Sequence, residues 1–394
     1  MQHQPQPQLP KPDAESAAHS ARVGAAIRAK IAAAGGQISF AEYMHHALYA
    51  PGLGYYSAGA TKFGMAGDFI TAPEVSPLFA RVLARQCADV IAMTDAAGIL
   101  EFGAGSGRLA VDLLQALAAL DALPDSYRIL EVSPDLRDRQ ASLLRRETPE
   151  HYGRVSWLDR MPDQHTGVIV ANEVLDALPV ERFLRHDNGI AQLCVGIDHD
   201  EFVLQQRSAP QVLRDAVVEL EARLGQPLPH GYASEICLAA PHWVADLADV
   251  LQQGIAFLFD YGLCRREYYG PGRSGGWLRC HFRHHAHDNP LLLPGIQDIT
   301  GWVDFSAVAD AAHAHGLDIA GFVTQAHFLI AGGLEEALAD LAKVPLHAQL
   351  ELSRQAKLLT LPGEMGENFK CLGLSRGAVT TPDAFLAADR TATL

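Results

Sequence analysis

The chain has 394 residues, of which 48% are hydrophobic and 20% are charged, and its formal net charge is −15 at pH 7. This length allows one large domain or one domain with an insertion. The acidic balance excludes a general nucleic-acid binder but leaves a basic protein or peptide substrate open. The cysteines form no Cys-x-x-Cys pair, which favours free thiols in a reducing cytosol. No apolar run is long enough to span a membrane, so we expect a cytoplasmic protein without membrane insertion.

The N-terminal part is predicted to consist of a tail and a cap. Residues 1–13 are rich in Pro and Gln and lack both a signal-peptide core and an arginine-rich transit pattern, which indicates a disordered tail. Residues 14–93 are predicted to form a helical and loop cap, with helices at Ala14–Ala34, Ile38–Met44 and Ser76–Met93. In the second of these helices, Ser39 and Glu42 form the pattern of a capping box. The intervening loops at 49–57 and 64–73, rich in Gly, Pro and aromatic residues, indicate either a functional loop or a plain surface connection.

From residue 94 to about residue 380, apolar runs alternate with helical patterns, which predicts an α/β domain with a mostly parallel sheet covered on both faces. The predicted parallel strands are Ile99–Phe102, Tyr127–Leu130, Val155–Trp157, Gly167–Ala171 and Ile255–Phe259. Two late strands, Leu317–Val323 and Phe369–Leu374, predict an antiparallel edge.

The segment between the fourth and fifth of these strands is longer than one crossover needs. Short apolar runs lie there at Phe183–Leu184, Ala191–Val195 and Phe202–Leu204. The turn residues Asn188-Gly189 and Asp198-His199-Asp200 separate them, which predicts hairpins. We expect this insertion, at about 180–240, to form a subdomain on the substrate side. A later stretch, 260–304, is predicted to be irregular.

A glycine-rich turn directly follows the first predicted strand. The sequence Glu101-Phe-Gly103-Ala-Gly105-Ser-Gly107 has the spacing G-x-G-x-G and opens a helix. Glycines allow the backbone to approach a ligand closely, and the helix N-terminus offers N–H groups. The motif alone predicts a nucleotide-type cradle or, alternatively, only a tight turn.

Polar residues follow the other strands at the same predicted edge. Glu131 lies about 20 residues past the turn, where an acid can accept both hydroxyls of a ribose. Asp159 follows the third strand, where an adenine amino group would lie, and Asn172 follows the fourth. Glu131 could instead be a helix-cap neighbour, and Asp159 a plain loop acid. Together with Glu101 and Gly103 they predict an adenosyl-type ligand.

The spacing and charge of the turn distinguish between cofactors. Nicotinamide dinucleotides usually require G-x-G-x-x-G around a diphosphate, whereas here the third glycine comes one residue early. Glu101 places a carboxylate beside the turn, which repels phosphate but suits a ligand that carries an ammonium and a sulfonium. The sequence therefore predicts S-adenosylmethionine rather than NAD.

Eight segments that span nearly the whole chain carry a recognisable pattern. They are Ala50–Tyr56, Gly67–Pro73, Glu101–Gly107, Glu131–Pro134, Ala171–Pro179, Phe259–Gly262, Leu278–Asp288 and Gly363–Gly366. In these segments the chain resembles the MidA family of S-adenosylmethionine-dependent methyltransferases, the relatives of the complex I assembly-factor arginine methyltransferase. One departure is Ala104, where we expect proline in many relatives.

The resemblance implies a Rossmann-like class I methyltransferase fold with a seven-stranded sheet, an N-terminal cap and an insertion. It also implies that the loop with Asp68 and Thr71 folds over the cofactor. The implied substrate is a protein arginine, and a respiratory-complex subunit is a candidate acceptor. A homodimer is one alternative for the assembly.

Methyl transfer from a sulfonium depends mainly on positioning and needs little acid–base chemistry. A guanidinium is best oriented by carboxylates, so Glu173 and Asp176, after the fourth strand, are the candidate catalytic residues. Helix capping is their alternative role. The histidines at 281–287 fit no tetrahedral metal pattern, and we expect no metal. A small-molecule methyltransferase and a non-enzymatic assembly factor that binds the cofactor remain open as alternative functions.

Overall fold

The computed structural model describes residues 9–57, 70–95, 97–339 and 345–394. The predictions for residues 1–8 and for most of the loop at 64–73, which includes Asp68, lie outside the described residues. The same holds for the last residues, 340–344, of a helix that the sequence pattern predicts at 334–344. The chain forms two units. The first unit comprises the described residues of Met1–Phe69, Leu175–His242 and Cys264–Trp302, and the second comprises those of Ile70–Val174, Trp243–Leu263 and Val303–Leu394.

The strands are β1 (Gln37–Ser39), β2 (Gly98–Phe102), β3 (Ser126–Leu130), β4 (Val155–Leu158), β5 (His165–Asn172), β6 (Glu181–His186), β7 (Gly189–Asp198), β8 (Glu201–Ser208), β9 (Ala233–Ile236), β10 (Leu251–Leu263), β11 (Arg279–Phe282), β12 (His285–His287), β13 (Asp298–Thr300), β14 (Val303–Asp304), β15 (Asp318–Thr324) and β16 (Phe369–Arg376). The helices are α1 (Ala14–Ala33), α2 (Phe40–Tyr49), α3 (Ala72–Val75), α4 (Pro77–Ala92), α5 (Arg108–Ala119), α6 (Pro134–Glu147), α7 (Gln211–Leu224), α8 (Ala240–Val250), α9 (Arg265–Tyr268), α10 (Phe305–Ala314), α11 (Gln325–Ala331), α12 (Leu334–Ala337), α13 (Leu346–Thr360), α14 (Met365–Asn368) and α15 (Asp383–Leu386).

The second unit is built on one sheet with the strand order β15-β16-β10-β5-β2-β3-β4, and the short β14 also pairs with β10. Strands β10, β5, β2, β3 and β4 are parallel to one another. The last strand, β16, runs antiparallel to both β10 and β15. The predicted α/β class, with a mostly parallel sheet and an antiparallel edge, is confirmed, and β14 adds an eighth strand to the seven that were expected.

The central strands of this sheet are apolar at nearly every position because helices cover both faces. All five residues of β2 are buried, and its neighbour β5 is buried over most of its length. Phe79 of α4 packs edge-on against Phe259 of β10, with ring centroids 4.9 Å apart. The resulting core fixes the ends of β2, β3 and β5, which carry the candidate site.

Strand β10 is longer than predicted, and the assignment of Asp260 and Tyr261 to an irregular stretch is wrong. Both residues continue the strand, because β16 pairs with them through Lys370 and Phe369. The predicted strand covered only the apolar run Ile255–Phe259, whereas hydrogen bonds to the neighbouring strand decide where a strand stops.

The first unit contains a sheet with the order β1-β7-β6-β9, and β8 pairs with β7. The predicted hairpins are confirmed, and the turn between β7 and β8 has His199 and Asp200 at φ 45° and 68°, as type I′ turns require.

Strand β1 was not predicted. The capping box of Ser39 and Glu42 is present, but it starts α2 at Phe40, which leaves Gln37–Ser39 extended to pair with β7.

A second correction concerns the stretch 260–304, which contains a three-stranded antiparallel sheet in the order β12-β11-β13. Arg283 and His284 form the turn between β11 and β12 and have positive φ angles of 49° and 61°. Such a turn usually contains Asn or Gly, so no turn signal marks this position in the sequence. The histidine-rich run is therefore a β-hairpin.

All six cysteines are free thiols. Across the four described ranges, no helix is long and apolar enough to cross a membrane. The same residues contain no group of three or more His, Cys, Asp or Glu side chains arranged to hold a metal ion.

Candidate active site

The glycine turn connects β2 to α5 with three residues in the left-handed region. Gly103, Gly105 and Gly107 have φ angles of 61°, 54° and 87°. The Gly103 N–H donates to the Leu130 carbonyl at 3.0 Å, and the Gly107 N–H donates to the Ala104 carbonyl at 2.7 Å. L-residues with a side chain adopt this conformation only at a cost. The turn is thus shaped for close backbone approach beside the N-terminus of α5.

The strand register brings the predicted residues to one edge of the sheet. Phe102, the last residue of β2, lies opposite Leu130 of β3 and Ala171 of β5, and Leu130 lies opposite Leu158 of β4. The next residues along these strands are Gly103, Glu131, Asn172 and Asp159. The structure therefore brings these four to neighbouring strand ends, with Asp159 exposed to solvent and Asn172 still part of β5.

Glu101 lies beneath the turn and is only 3% exposed. The Tyr127 hydroxyl donates to its Oε2 at 2.7 Å. Burial raises the pKa of Glu101 to about 7, the Tyr127 hydrogen bond opposes that shift, and the charge of Glu131 adds to it. Sequence reasoning missed Tyr127, because a tyrosine in a buried strand carries no sign of its partner.

Glu131 is held by hydrogen bonds from both sides. Its Oε1 accepts from the Ser133 N–H at 2.9 Å, and its Oε2 accepts from Gln140 Nε2 at 3.2 Å. Burial raises the pKa of Glu131, and the hydrogen bonds from Ser133 and Gln140 oppose this shift. The carboxylate is therefore fixed in orientation rather than free to rotate.

The segment that begins at Ile70, after the undescribed residues 58–69, contacts the glycine turn. The Ser106 hydroxyl donates to the Glu74 carboxylate of α3, and Thr71 is the N-cap residue of that helix. The structure thus places Thr71 one helical turn from a residue that touches the cradle. Sequence reasoning had not singled out Glu74. Asp68 lies outside the described residues.

Glu173 immediately follows β5 in a strained backbone conformation. Its φ angle is 54°, which is uncommon for a residue with a side chain and costs on the order of 1 kcal/mol. The Glu173 N–H donates to the Phe259 carbonyl of β10 at 2.8 Å, which holds the residue in this conformation. Strain of this kind clusters at functional sites.

The side chains of Asn172 and Glu173 orient each other. Asn172 Nδ2 donates to Glu173 Oε1 at 3.3 Å. Reversing the amide would set its oxygen against the carboxylate, so the orientation is fixed by electrostatics. Asn172 Oδ1 is then buried without a hydrogen-bond partner. A buried carbonyl oxygen without a donor is costly, and a ligand N–H or O–H could satisfy it.

Asp176 belongs to the first unit, whereas Glu173 belongs to the second. Asp176 is buried, and its carbonyl accepts from the Gly301 N–H at 2.9 Å. The pKa of Tyr49 and that of Tyr56 are raised by burial first and then by the charges of Asp176 and Asp298. The Tyr56 hydroxyl donates to Asp298 Oδ1 at 2.8 Å. Sequence reasoning did not single out Asp298.

The strand order, the glycine turn after β2 and the acid after β3 define a Rossmann-like class I methyltransferase fold. The chain belongs to the family whose description reads "Putative S-adenosyl-L-methionine-dependent methyltransferase", and the family model matches residues 82–323. The predicted resemblance to the MidA family, the methyl-transfer reaction and S-adenosylmethionine as the cofactor are confirmed.

Similar proteins are known from bacteria and animals. A superfamily member from Burkholderia thailandensis, crystallised with S-adenosyl-homocysteine, is 41% identical, has a TM-score of 0.92, and is matched over 98% of this chain and 100% of that chain. The mitochondrial protein arginine methyltransferase NDUFAF7 homolog of Drosophila melanogaster is 30% identical over 95% of this chain and 90% of that protein. Its Danio rerio counterpart is 29% identical over 85% of this chain and 82% of that protein.

The names of these relatives correct one prediction. Relatives from Danio rerio, Drosophila melanogaster and Homo sapiens are named mitochondrial proteins, so the prediction of a cytoplasmic location is wrong. It had been based on scattered cysteines and on the absence of a recognisable leader. Free cysteines are compatible with more than one reducing compartment.

Proposed function

We propose that this protein transfers a methyl group from S-adenosylmethionine to an arginine side chain of a protein acceptor. The observation that carries the proposal is the strained Glu173 at the end of β5, whose carboxylate is oriented by Asn172. A carboxylate is the natural partner of a guanidinium. The relatives named as protein arginine methyltransferases support the same acceptor.

The residues around the glycine turn would hold the cofactor. The backbone of Gly103 and Gly105 would accommodate its methionine part, and Glu101 would face its ammonium. Glu131, fixed by Ser133 and Gln140, would accept the ribose hydroxyls, and Asp159 would accept from adenine. The orphaned Oδ1 of Asn172 is consistent with a donor supplied by a ligand.

We propose that Thr71 and Asp68 approach the cofactor from the preceding segment. For Thr71, the contact between Glu74 and Ser106 supports this role. For Asp68 the support is the family resemblance alone. The division into a cap, a methyltransferase domain and a substrate-side insertion at about 180–240 likewise stays a proposal.

S-adenosylmethionine supplies an electrophilic methyl group on a sulfonium. The protein therefore has to orient the attacking nitrogen and exclude water, and good positioning can contribute roughly 7–11 kcal/mol. The Glu173 carboxylate would bind the guanidinium through its N–H groups and take up the proton that the methylated nitrogen loses. Asp176, a buried carboxylate of the first unit, is proposed to contribute to recognition of the cationic acceptor.

The acceptor can be tested by incubating the protein with a cell lysate and methyl-labelled S-adenosylmethionine, followed by mass spectrometry of proteins and of small molecules. We expect label on protein arginines, lost in Glu173→Gln and Asp176→Asn and kept in Glu336→Gln, which alters an exposed carboxylate of α12. Label confined to small metabolites would overturn the proposal. A respiratory-complex subunit as the acceptor and a homodimer as the assembly stay predictions.

A further inference from the structure

A buried glutamine outside every recognised motif connects three parts of the cofactor region. Gln140 lies on α6 and is 0% exposed. Its Nε2 donates to the Gly105 carbonyl at 3.0 Å and to Glu131 Oε2 at 3.2 Å. Its Oε1 accepts from the Trp157 indole N–H of β4 at 2.8 Å. One side chain therefore joins the glycine turn, the acid after β3 and the next strand.

The chemistry of these contacts requires an amide. Two acceptors, the carbonyl and the carboxylate, face the nitrogen, and one donor, the indole N–H, faces the oxygen. Reversing the amide would set its oxygen against both acceptors and its nitrogen against the indole, so the orientation is fixed. An ionised glutamate of the same shape would have no proton for Gly105 or Glu131, and a methionine would make none of these hydrogen bonds.

Gln140 also sets the position of the turn by packing. A side chain at Gly107 would come within 3.2 Å of Gln140 Cγ and 3.3 Å of its Cα, so α6 and the turn are in close contact at this point. The helix thus supports the turn through both van der Waals contact and the hydrogen bond to Gly105. Displacement of the side chain would release the turn and Glu131 together.

We propose that Gln140 is a positioning residue that holds Glu131 and the glycine turn in the arrangement that binds S-adenosylmethionine. This inference rests on the proposed role of Glu131 as the ribose-binding acid. It predicts that loss of the Gln140 amide weakens cofactor binding, while turnover at saturating cofactor and acceptor changes little, because Gln140 is placed among residues that bind the cofactor rather than the acceptor.

The test measures binding of S-adenosyl-homocysteine to the full chain by calorimetry, with thermal unfolding recorded in parallel. For Gln140→Met we expect Kd to rise at least tenfold and KM for S-adenosylmethionine to rise in parallel, with kcat within about threefold of the original. Gln86→Met is the matched control, since Gln86 is also buried, donates to the Gly332 carbonyl at 3.1 Å and accepts from the Ala384 N–H at 3.1 Å. This control should lose a similar amount of stability and keep its Kd.

Two further variants test the inference if Gln140→Met does not fold. In Trp157→Phe the donor that anchors the Gln140 oxygen is removed, and we expect Kd to rise about threefold to tenfold. In Gln140→Glu we expect Kd to increase with pH, as the glutamate loses the proton that it could donate, whereas the original protein shows no such rise over the same range.

The outcomes separate this inference from the proposed function. If Glu131→Gln leaves Kd unchanged, the ribose role of Glu131 fails and the inference fails with it. If Glu131→Gln weakens binding but the folded Gln140 and Trp157 variants bind normally, only the inference is overturned. Equal weakening in Gln86→Met would also overturn it, because the effect would then reflect general loss of stability.

Discussion

At the scale of single residues, the region around the glycine turn contains buried carboxylates that cost stability. Glu101 is buried under the glycine turn, and its pKa is raised to about 7, first of all by that burial. Its hydrogen bond from Tyr127 reduces this cost without removing it. Such groups are retained where function needs a charge in a fixed place.

We predict that Glu101→Gln stabilises the protein at high pH. The folded-state pKa of Glu101, about 7, lies above its ordinary value of 4.5, so the stability linked to protonation is fully present below pH 4.5 and is lost as the pH rises through 7. Glutamine keeps an acceptor for Tyr127 and carries no charge. Above pH 7 the variant should therefore be more stable by on the order of 3 kcal/mol, and near pH 4.5 the difference should vanish.

Urea unfolding of both proteins from pH 4.5 to pH 8.5 measures this difference. Subtracting the two curves removes the contribution of groups that do not interact with Glu101, such as His165, whose pKa is lowered to about 4 by burial. A difference that does not depend on pH would contradict the prediction.

The second prediction concerns Gly105. A valine at φ 54° is strained by roughly 1–3 kcal/mol, because a β-branched residue avoids the left-handed region. We expect Gly105→Val to remain folded and to lose binding of S-adenosyl-homocysteine by more than tenfold. Gly225→Val is the matched control: Gly225 has φ 74° at the end of α7, and a Cβ there meets nothing within 4 Å. Calorimetry should show normal binding in the control, and equal binding in both variants would refute the role of Gly105.

Sequence patterns predicted which residues lie at the strand ends but not which side chains hold those residues in place. Gly103, Glu131 and Asn172 could be placed because parallel strands end at one edge of a sheet. Gln140, Tyr127 and Glu74 could not, because their partners are distant in sequence and depend on how helices pack on the sheet. The positive φ angle of Glu173 could not be predicted either, since the pairing of β5 with β10 holds the residue in that conformation.

At the scale of elements, the antiparallel edge of the sheet is fixed by one aromatic side chain. Phe385 of α15 is buried and stacks on Phe257 of β10, with ring centroids 6.0 Å apart. A side chain at Gly373 of β16 would come within 2.6 Å of its ring, and one at Gly321 of β15 would come within 2.5 Å of its Cβ. Both strands therefore provide a flat glycine surface on which the C-terminal helix packs.

We predict that Phe385→Ala lowers the free energy of unfolding by about 3–5 kcal/mol, as expected for a buried phenylalanine whose cavity cannot collapse. Leu386→Ala is the control, because this neighbour is 68% exposed and should change stability by less than about 0.5 kcal/mol. Denaturant unfolding provides the measurement. Similar losses in both variants would mean that α15 does not pack on the sheet through Phe385.

Element boundaries could be predicted where a local signal sets them. The Ser39 capping box marked the start of α2, and the Asp198–Asp200 turn marked a hairpin. The ends of β10 and the existence of β1 could not be predicted, since both depend on hydrogen bonds to strands far along the chain. The sheet of β11, β12 and β13 could not be predicted, because the turn between β11 and β12 consists of Arg283 and His284, and these residue types rarely have positive φ angles.

At the scale of the whole molecule, the net charge of −15 favours association with a cationic acceptor. We predict that KM for an arginine peptide flanked by lysines rises severalfold between 50 and 300 mM NaCl, because the screening length falls from about 14 Å to about 6 Å over this range. The same arginine flanked by glutamates should begin with a higher KM that falls with salt. Initial rates with both peptides test this, and identical salt dependence would exclude a contribution from the overall charge.

The pairing of β1 with β7 has a consequence for synthesis on the ribosome. Ser39 lies opposite Cys194, and the core around α1 and α2 includes Val195 of β7. At about 5–20 residues per second, the intervening chain takes roughly 8–30 s to translate. During that time the apolar faces of α1 and α2 lack the strand that covers them. The segment that contains α1 and α2 therefore has exposed apolar faces that a chaperone could cover until β7 has been made.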